Sequence, residues 1–311
     1  MCSLVPNTTS YSKELMRLKA DITLFIISII WGSAFVAQRV AGQLGSVYQF
    51  NGYRYLLAGL VVLPFAWKIF RTQKISRPQY MWMFIAGFVL FVAAAFQQAG
   101  MLYTTAGNAG FITSLYVVLI PIVLFIFWGE KPHWIYIVAV VLAMIGAFLL
   151  STGGTFHIQF GDLLELIGAL FWTIHVILLG KFASKFEALT FSVGQLIVCG
   201  MLNLGVGIVI ESAMQFNPQL LFAIGYTAFF SLGLCYTLQI WAQRHTPPAD
   251  AALILSLEAV FAVLAGWLIL NETLVMIQII GCVLIFIAVM LSQLKEWTSG
   301  RLDHEHLIEG R

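Results

Sequence analysis

The sequence predicts an all-α membrane protein of ten transmembrane helices, built as two inverted five-helix repeats with both termini in the cytoplasm. Three observations carry that prediction. The 311-residue chain is 60% apolar and only 10% charged, with a mean hydropathy of +0.93, whereas a soluble domain carries about 25% charged residues. Its apolar residues fall into ten runs near the length that crosses a roughly 30 Å hydrocarbon core. Finally, the second half of the chain repeats the first.

The runs lie near 21–40, 48–68, 79–101, 107–128, 133–151, 162–182, 188–210, 218–241, 249–270 and 273–294. Pro78, Pro132, Pro218 and the Pro247-Pro248 pair stand where first helical turns begin, the one helical position that tolerates a missing amide proton. Short connections make the whole a single compact bundle. The first run follows Lys13, Arg17 and Lys19 as a signal peptide would, but it lacks a small-residue cleavage site and has a counterpart later in the chain. It is read as a mature helix.

Lys and Arg set the orientation. With the N-terminus inside, 14 of the 16 basic residues fall in cytoplasmic segments, leaving Arg39 in an outer loop and Arg54 within a span. Nine or eleven spans would scatter that bias. The expected organisation is a cytoplasmic segment 1–19, a first repeat 20–152, a second repeat 160–295 and a disordered cytoplasmic tail 296–311. Of Cys2, Cys199, Cys235 and Cys282, three lie inside apolar runs without CxxC spacing, so they read as small buried hydrophobes. Basic residues form no groove-like cluster, which argues against nucleic acid as a partner.

At an offset of 141, Trp31, Phe50, Gly59 and Leu63 meet Trp172, Phe191, Gly200 and Leu204. At 142, Ile112, Ser114, Leu115, Val118 and Glu130 meet Ile254, Ser256, Leu257, Val260 and Glu272. Five helices per repeat is an odd number, so two copies with the same internal fold must lie upside down relative to each other. That arrangement is characteristic of secondary transporters, whose solute site lies near the bilayer midplane at the repeat interface.

The stretches WGSAFVAQR in the first run, NGYRYLLAG in the second, TTAGNAGFITSLYVVLIPIV around the fourth and SLEAVFAVLAGWLILNE in the ninth resemble the EamA family of the drug/metabolite transporter superfamily, over residues 20–294. The resemblance implies a ten-helix bundle around a central cavity formed by both halves. It also implies export or exchange of amino acids, related metabolites or drugs across the inner membrane.

Counting 1.5 Å per residue from the helix starts puts Trp31 and Trp172 each roughly 15 Å deep, with Tyr116 and Glu258 at a similar level. A mid-span carboxylate costs on the order of 3 kcal/mol even on insertion scales, so Glu258 should face a cavity or a partner. It reads either as a proton-coupling or amine-binding group, or as a protonated tie between helices. Arg54, a turn or two into the second span, reads as a snorkelling anchor or as an anion contact. His175 shares a helix face with Glu165 and Trp172 and suits proton relay or a hydrogen bond within the bundle. Glu165, one turn inside, reads as interfacial. Gln97, Gln98, Ser114, Asn203, Ser256 and Gln239 are divided between cavity lining and helix–helix hydrogen bonds, and Trp31, Trp172 and Tyr116 offer cation–π surfaces. Pro121 is a candidate gating hinge. A stripe of Ala139, Ala143 and Ala147 fits packing within the fold or a homodimer contact.

The leading reading is therefore a secondary transporter for a small polar or zwitterionic organic solute, working by alternating access with a proton or an exchanged solute. A proton-coupled multidrug exporter is the rival within that class, and a sensor without flux the rival outside it. No Walker motif, GxSxG, HExxH or buried His pair is present in the sequence, so neither ATP hydrolysis, enzyme chemistry, a cofactor nor a metal is expected.

Overall fold

A computed structural model describes residues 8–44, 46–72, 74–152, 159–271 and 275–309, with side chains for all of these except 8–12, 151–152, 184 and 293–309. Glu272, one of the repeat matches, lies outside the described residues. Among the described residues every regular element is helical: α1 (Thr8–Gln43), α2 (Tyr48–Thr72), α3 (Arg77–Gly100), α4 (Ala106–Ser114), α5 (Tyr116–Trp128), α6 (Trp134–Thr152), α7 (Phe160–Lys181), α8 (Ala188–Ile210), α9 (Pro218–Tyr226), α10 (Cys235–Ala242), α11 (Pro248–Leu255), α12 (Glu258–Leu270) and α13 (Met276–Glu309). A 3-10 turn, Ala183–Lys185, follows α7, and a π-helical segment, Thr227–Leu234, joins α9 to α10. Among the described residues, eight continuous or broken spans are long and apolar enough to cross a membrane; α6 and α13 add shorter apolar stretches, Trp134–Leu150 and Met276–Ser292.

Local sequence explains the ends. Ser76 and Asn217 cap α3 and α9 by accepting the amides of Gln79 and Leu220 at 3.4 and 2.8 Å, and Pro78 and Pro218 occupy the first turns. Gly129 and Asn271, 142 positions apart, close α5 and α12 in the left-handed region at φ 69° and 54°. Glycine and asparagine are the residues that enter this region most readily. The carboxylate of Glu211, just past α8, accepts the amides of Val47, Tyr48 and Gln49 at 2.8–2.9 Å and so caps α2 from the other half of the chain.

The fourth and ninth runs are each two helices, broken at Leu115 and at Ser256–Leu257. The discontinuity is therefore not at Pro121, the expected hinge, which lies inside an unbroken α5. Proline there frees the Val117 carbonyl, and the Tyr136 hydroxyl stands 3.4 Å from it and 3.0 Å from the carbonyl of Ala249. At the C-terminus, helix continues to Glu309 where a disordered tail is expected from 296. A polar run without proline extends a helix already nucleated upstream.

Close approach of backbones holds the bundle. A Cβ at Gly52 or Gly200 would meet the backbone nitrogen of Leu204 or Leu56 at 2.8 and 2.7 Å, so α2 and α8 cross in direct backbone contact. Gly146 and Gly281 bring α6 against α13 in the same way, and the alanine stripe 139, 143, 147 is buried within the fold, in the core where α6 meets α13. Both crossings pair equivalent helices of the two repeats, as a molecule with a pseudo-two-fold axis requires.

Candidate transport site

The broken helices build the centre. Tyr116 and Glu258 are the first residues of α5 and α12, and each is the repeat equivalent of the other. The Tyr116 hydroxyl donates to Glu258 Oε1 at 2.9 Å. Two equivalent positions can touch only near the axis that relates the repeats, so this bond marks the molecular centre. Both residues are 3% exposed. Gly32 allows α1 to reach this point: a Cβ there would lie 2.7 Å from the Glu258 carbonyl oxygen. Trp31 is thereby carried into the site.

Around this pair is a cavity of about 40 Å³, room for a few water molecules. Seven of the ten expected site residues line it: Trp31, Arg54, Gln97, Tyr116, Trp172, His175 and Glu258. Ser114, Ser256 and Asn203 do not. Their side chains bond within their own helices, to the carbonyls of Phe111, Leu253 and Cys199 at 2.6, 2.7 and 3.0 Å.

Tyr236, unmarked in the sequence reading, is the aromatic hub. Its ring lies 5.4 Å from Trp31, 6.4 Å from Trp172 in parallel orientation, and 5.6 Å edge-on from His175. The π-helical segment beside it shifts the carbonyl register, and the carbonyl of Ser231 accepts the Trp31 indole N–H at 2.7 Å. Gln97 and its repeat equivalent Gln239 face the cavity from α3 and α10, together with Gln38, Tyr55 and Thr113. His175 pairs through Nε2 with Gln195 Oε1 at 3.1 Å.

Arg54 does not snorkel. It is 2% exposed, its guanidinium sits 5.0 Å above the Phe50 ring and 5.1 Å from that of Tyr55, and Nε donates to Asn51 Oδ1 at 3.0 Å. Among the described residues no carboxylate pairs with it.

Two further contacts close the bundle. The Thr246 hydroxyl donates to Asp21 Oδ1 at 2.7 Å, and the Thr104 hydroxyl donates to Asp162 Oδ1 at 2.8 Å. Asp21 and Asp162 are repeat equivalents, as are Thr104 and Thr246. Arg39, about 27 Å along α1 from Asp21 at 1.5 Å per residue, bonds the carbonyls of Met101 and Thr104. The equivalent contacts therefore sit at opposite ends of the bundle. Arg17 strengthens the first by bridging Asp21 and Asp250 at 3.0 Å each.

The EamA-like transporter family matches the chain twice, over residues 18–152 and 159–294. The chain belongs to that family. An uncharacterised transporter of Archaeoglobus fulgidus is 34% identical over 90% of this chain and 87% of its own length. The uncharacterised inner membrane transporter YedA of Escherichia coli K12 is 27% identical over 88% of this chain and 90% of its own. One crystal structure superposes with a TM-score of 0.74 at 16% identity, covering 89% of this chain and 98% of that one; it shares the fold. The transporter is thus a multi-pass membrane protein with a duplicated domain, and the two matched segments meet at residues 153–158, between α6 and α7.

Proposed function

We propose that this protein is a secondary transporter that moves a small polar or zwitterionic organic solute, of the amino-acid class, across the inner membrane by alternating access. One observation carries the reading: a buried carboxyl, Glu258, and a buried guanidinium without a carboxylate partner, Arg54, line the same central cavity. A zwitterion satisfies both, its carboxylate on Arg54 and its ammonium near Glu258 and the faces of Trp31 and Tyr236. The ten apolar helices, the charge bias and the pseudo-axis through Tyr116 and Glu258 support ten spans in two inverted halves with both termini inside. In this topology the Asp21–Thr246 contact closes the cytoplasmic end and the Asp162–Thr104 contact the outer end. Both contacts hold in an occluded conformation, and breaking either one opens the cavity to that side for solute.

Energy comes from a gradient or from exchange. A cationic-drug exporter is the second reading, favoured by the aromatic cluster around Tyr236, but a buried arginine in the same cavity disfavours a substrate that is only a cation. The test is counterflow in proteoliposomes with a labelled mixture of amino acids. Wild-type protein should show counterflow, and Glu258→Gln should reduce it at least tenfold while eluting as wild type in gel filtration. Wild-type flux in that variant would remove Glu258 from the site.

A further inference from the structure

A second carboxylate, Glu165, has no part in the site described above. It is fully buried on α7, one turn beyond Asp162 and two turns before Trp172, so it lies between the Asp162–Thr104 closure and the cavity. Both of its oxygens lack an aligned hydrogen-bond donor among the described residues. The residue opposite is Gly100, where a Cβ would stand 2.7 Å from Glu165 Cγ and 2.8 Å from Oε1, so the carboxyl in this position packs directly against the glycine. A helix tie would have satisfied partners, and an uncompensated buried carboxylate is strongly unfavourable. The niche instead suits a carboxyl that takes its partner, a proton or a water molecule, during the cycle.

The surroundings connect it inward. The Thr113 hydroxyl of α4 approaches the carboxyl at the margin of hydrogen-bond geometry, and Thr113 Oγ1 accepts from Gln97 Nε2 at 2.9 Å. Both line the cavity that holds Tyr116 and Glu258. The charged and titratable groups facing this region are few: Asp162 on the same helix, Tyr103 on the α3–α4 connection, and Arg39 of α1, which is held on the carbonyls of Met101 and Thr104. The adjoining parts of α3 and α4 contribute the neutral Gln97 and Thr113.

We infer that Glu165 is a proton-coupling site of the transport cycle, binding one proton from water at the Asp162 face and releasing it through the cavity when the opposite end opens. This rests on the transport reading and adds the coupling ion and the residue that carries it. The test uses the same proteoliposomes and amino-acid mixture. Glu165→Gln should keep counterflow at symmetric pH within about twofold of wild type and lose at least tenfold of the accumulation driven by an imposed pH gradient. Glu165→Asp should retain gradient-driven accumulation. A wild-type protein indifferent to the gradient, or a Glu165→Gln variant that accumulates normally, overturns the inference, whereas absent wild-type counterflow overturns the transport reading. Should the variants not fold, mapping of dicyclohexylcarbodiimide adducts on the wild-type protein decides: labelling at Glu165 that falls as pH rises supports the site, and labelling confined to Glu258 refutes it.

Discussion

Arg54 and Glu258 line the same central cavity and, among the described residues, form no ion pair with each other, so the proposed site offers a zwitterion a separate partner for each charge. Hydrogen bonds to a charged group contribute about 1.5–3 kcal/mol. Arg54→Ala should therefore raise the half-saturating concentration of an amino acid about 10- to 100-fold and leave the corresponding decarboxylated amine nearly unchanged. Counterflow with the two solutes side by side measures this, and an equal loss for both would show that Arg54 only supports packing. Arg54→Lys should recover part of the affinity, since an ammonium supplies charge without the planar fork. Depth along a helix was readable from sequence and put Trp31, Trp172, Tyr116 and Glu258 at one level, and all four line the central cavity. The facing of Arg54 was not, because a long side chain near a helix end can point outward or inward at the same depth. Ser114 and Ser256 were misleading for a related reason: a hydroxyl in a helix can satisfy itself on the carbonyl three residues back.

Breaks and crossings are the working features of the helices. The interruptions at Leu115 and at Ser256–Leu257 place two helix N-termini at mid-depth, beside the Tyr116–Glu258 bond. The matched Ser-Leu pairs stand at both interruptions, whereas Pro121 lies within α5. Glycines set the crossings. Gly200→Leu should drive a side chain into the backbone of Leu56, an overpacking of about 1–3 kcal/mol or more, and lower the melting temperature of the purified protein. Gly205→Leu, where nothing lies within 4 Å, should leave it unchanged. Thermal unfolding followed by gel filtration checks the pair, and equal effects would mean that the α2–α8 contact is looser than described. The π-helical segment had no signal in the sequence, because a π turn is a property of packing against Trp31 and its neighbours and not of residue type.

At the scale of the molecule, the repeated Asp–Thr contacts make the two ends chemically alike. Removing one carboxylate weakens one end by the worth of a charge-assisted hydrogen bond, on the order of 1–2 kcal/mol, or about a 5- to 30-fold shift in population. Asp21→Asn should increase labelling of a Ser231→Cys reporter by an impermeant maleimide from the cytoplasmic face. Asp162→Asn should increase it from the outer face. Equal effects of both variants from a single face would contradict the assignment of the two contacts to opposite ends. Asp21 carries the additional bridge through Arg17 to Asp250, so its replacement should have the larger effect.

Class and duplication were determined by the sequence alone. Backbone polar groups in lipid must be satisfied within the segment, so long apolar runs are helices whatever their detail, and a chain copied from one ancestor segment keeps its matches at an offset that changes only by indels, here from 141 to 142. Tertiary structure decided which face each helix turns inward. It brought in Tyr236 and Gln239, buried Arg54, enclosed Glu165 against Gly100 and left Ser114, Ser256 and Asn203 to their own helices. Hydrocarbon is nearly indifferent to the rotation of an apolar helix about its axis, so packing against neighbours sets that angle, and with it the chemistry of the site.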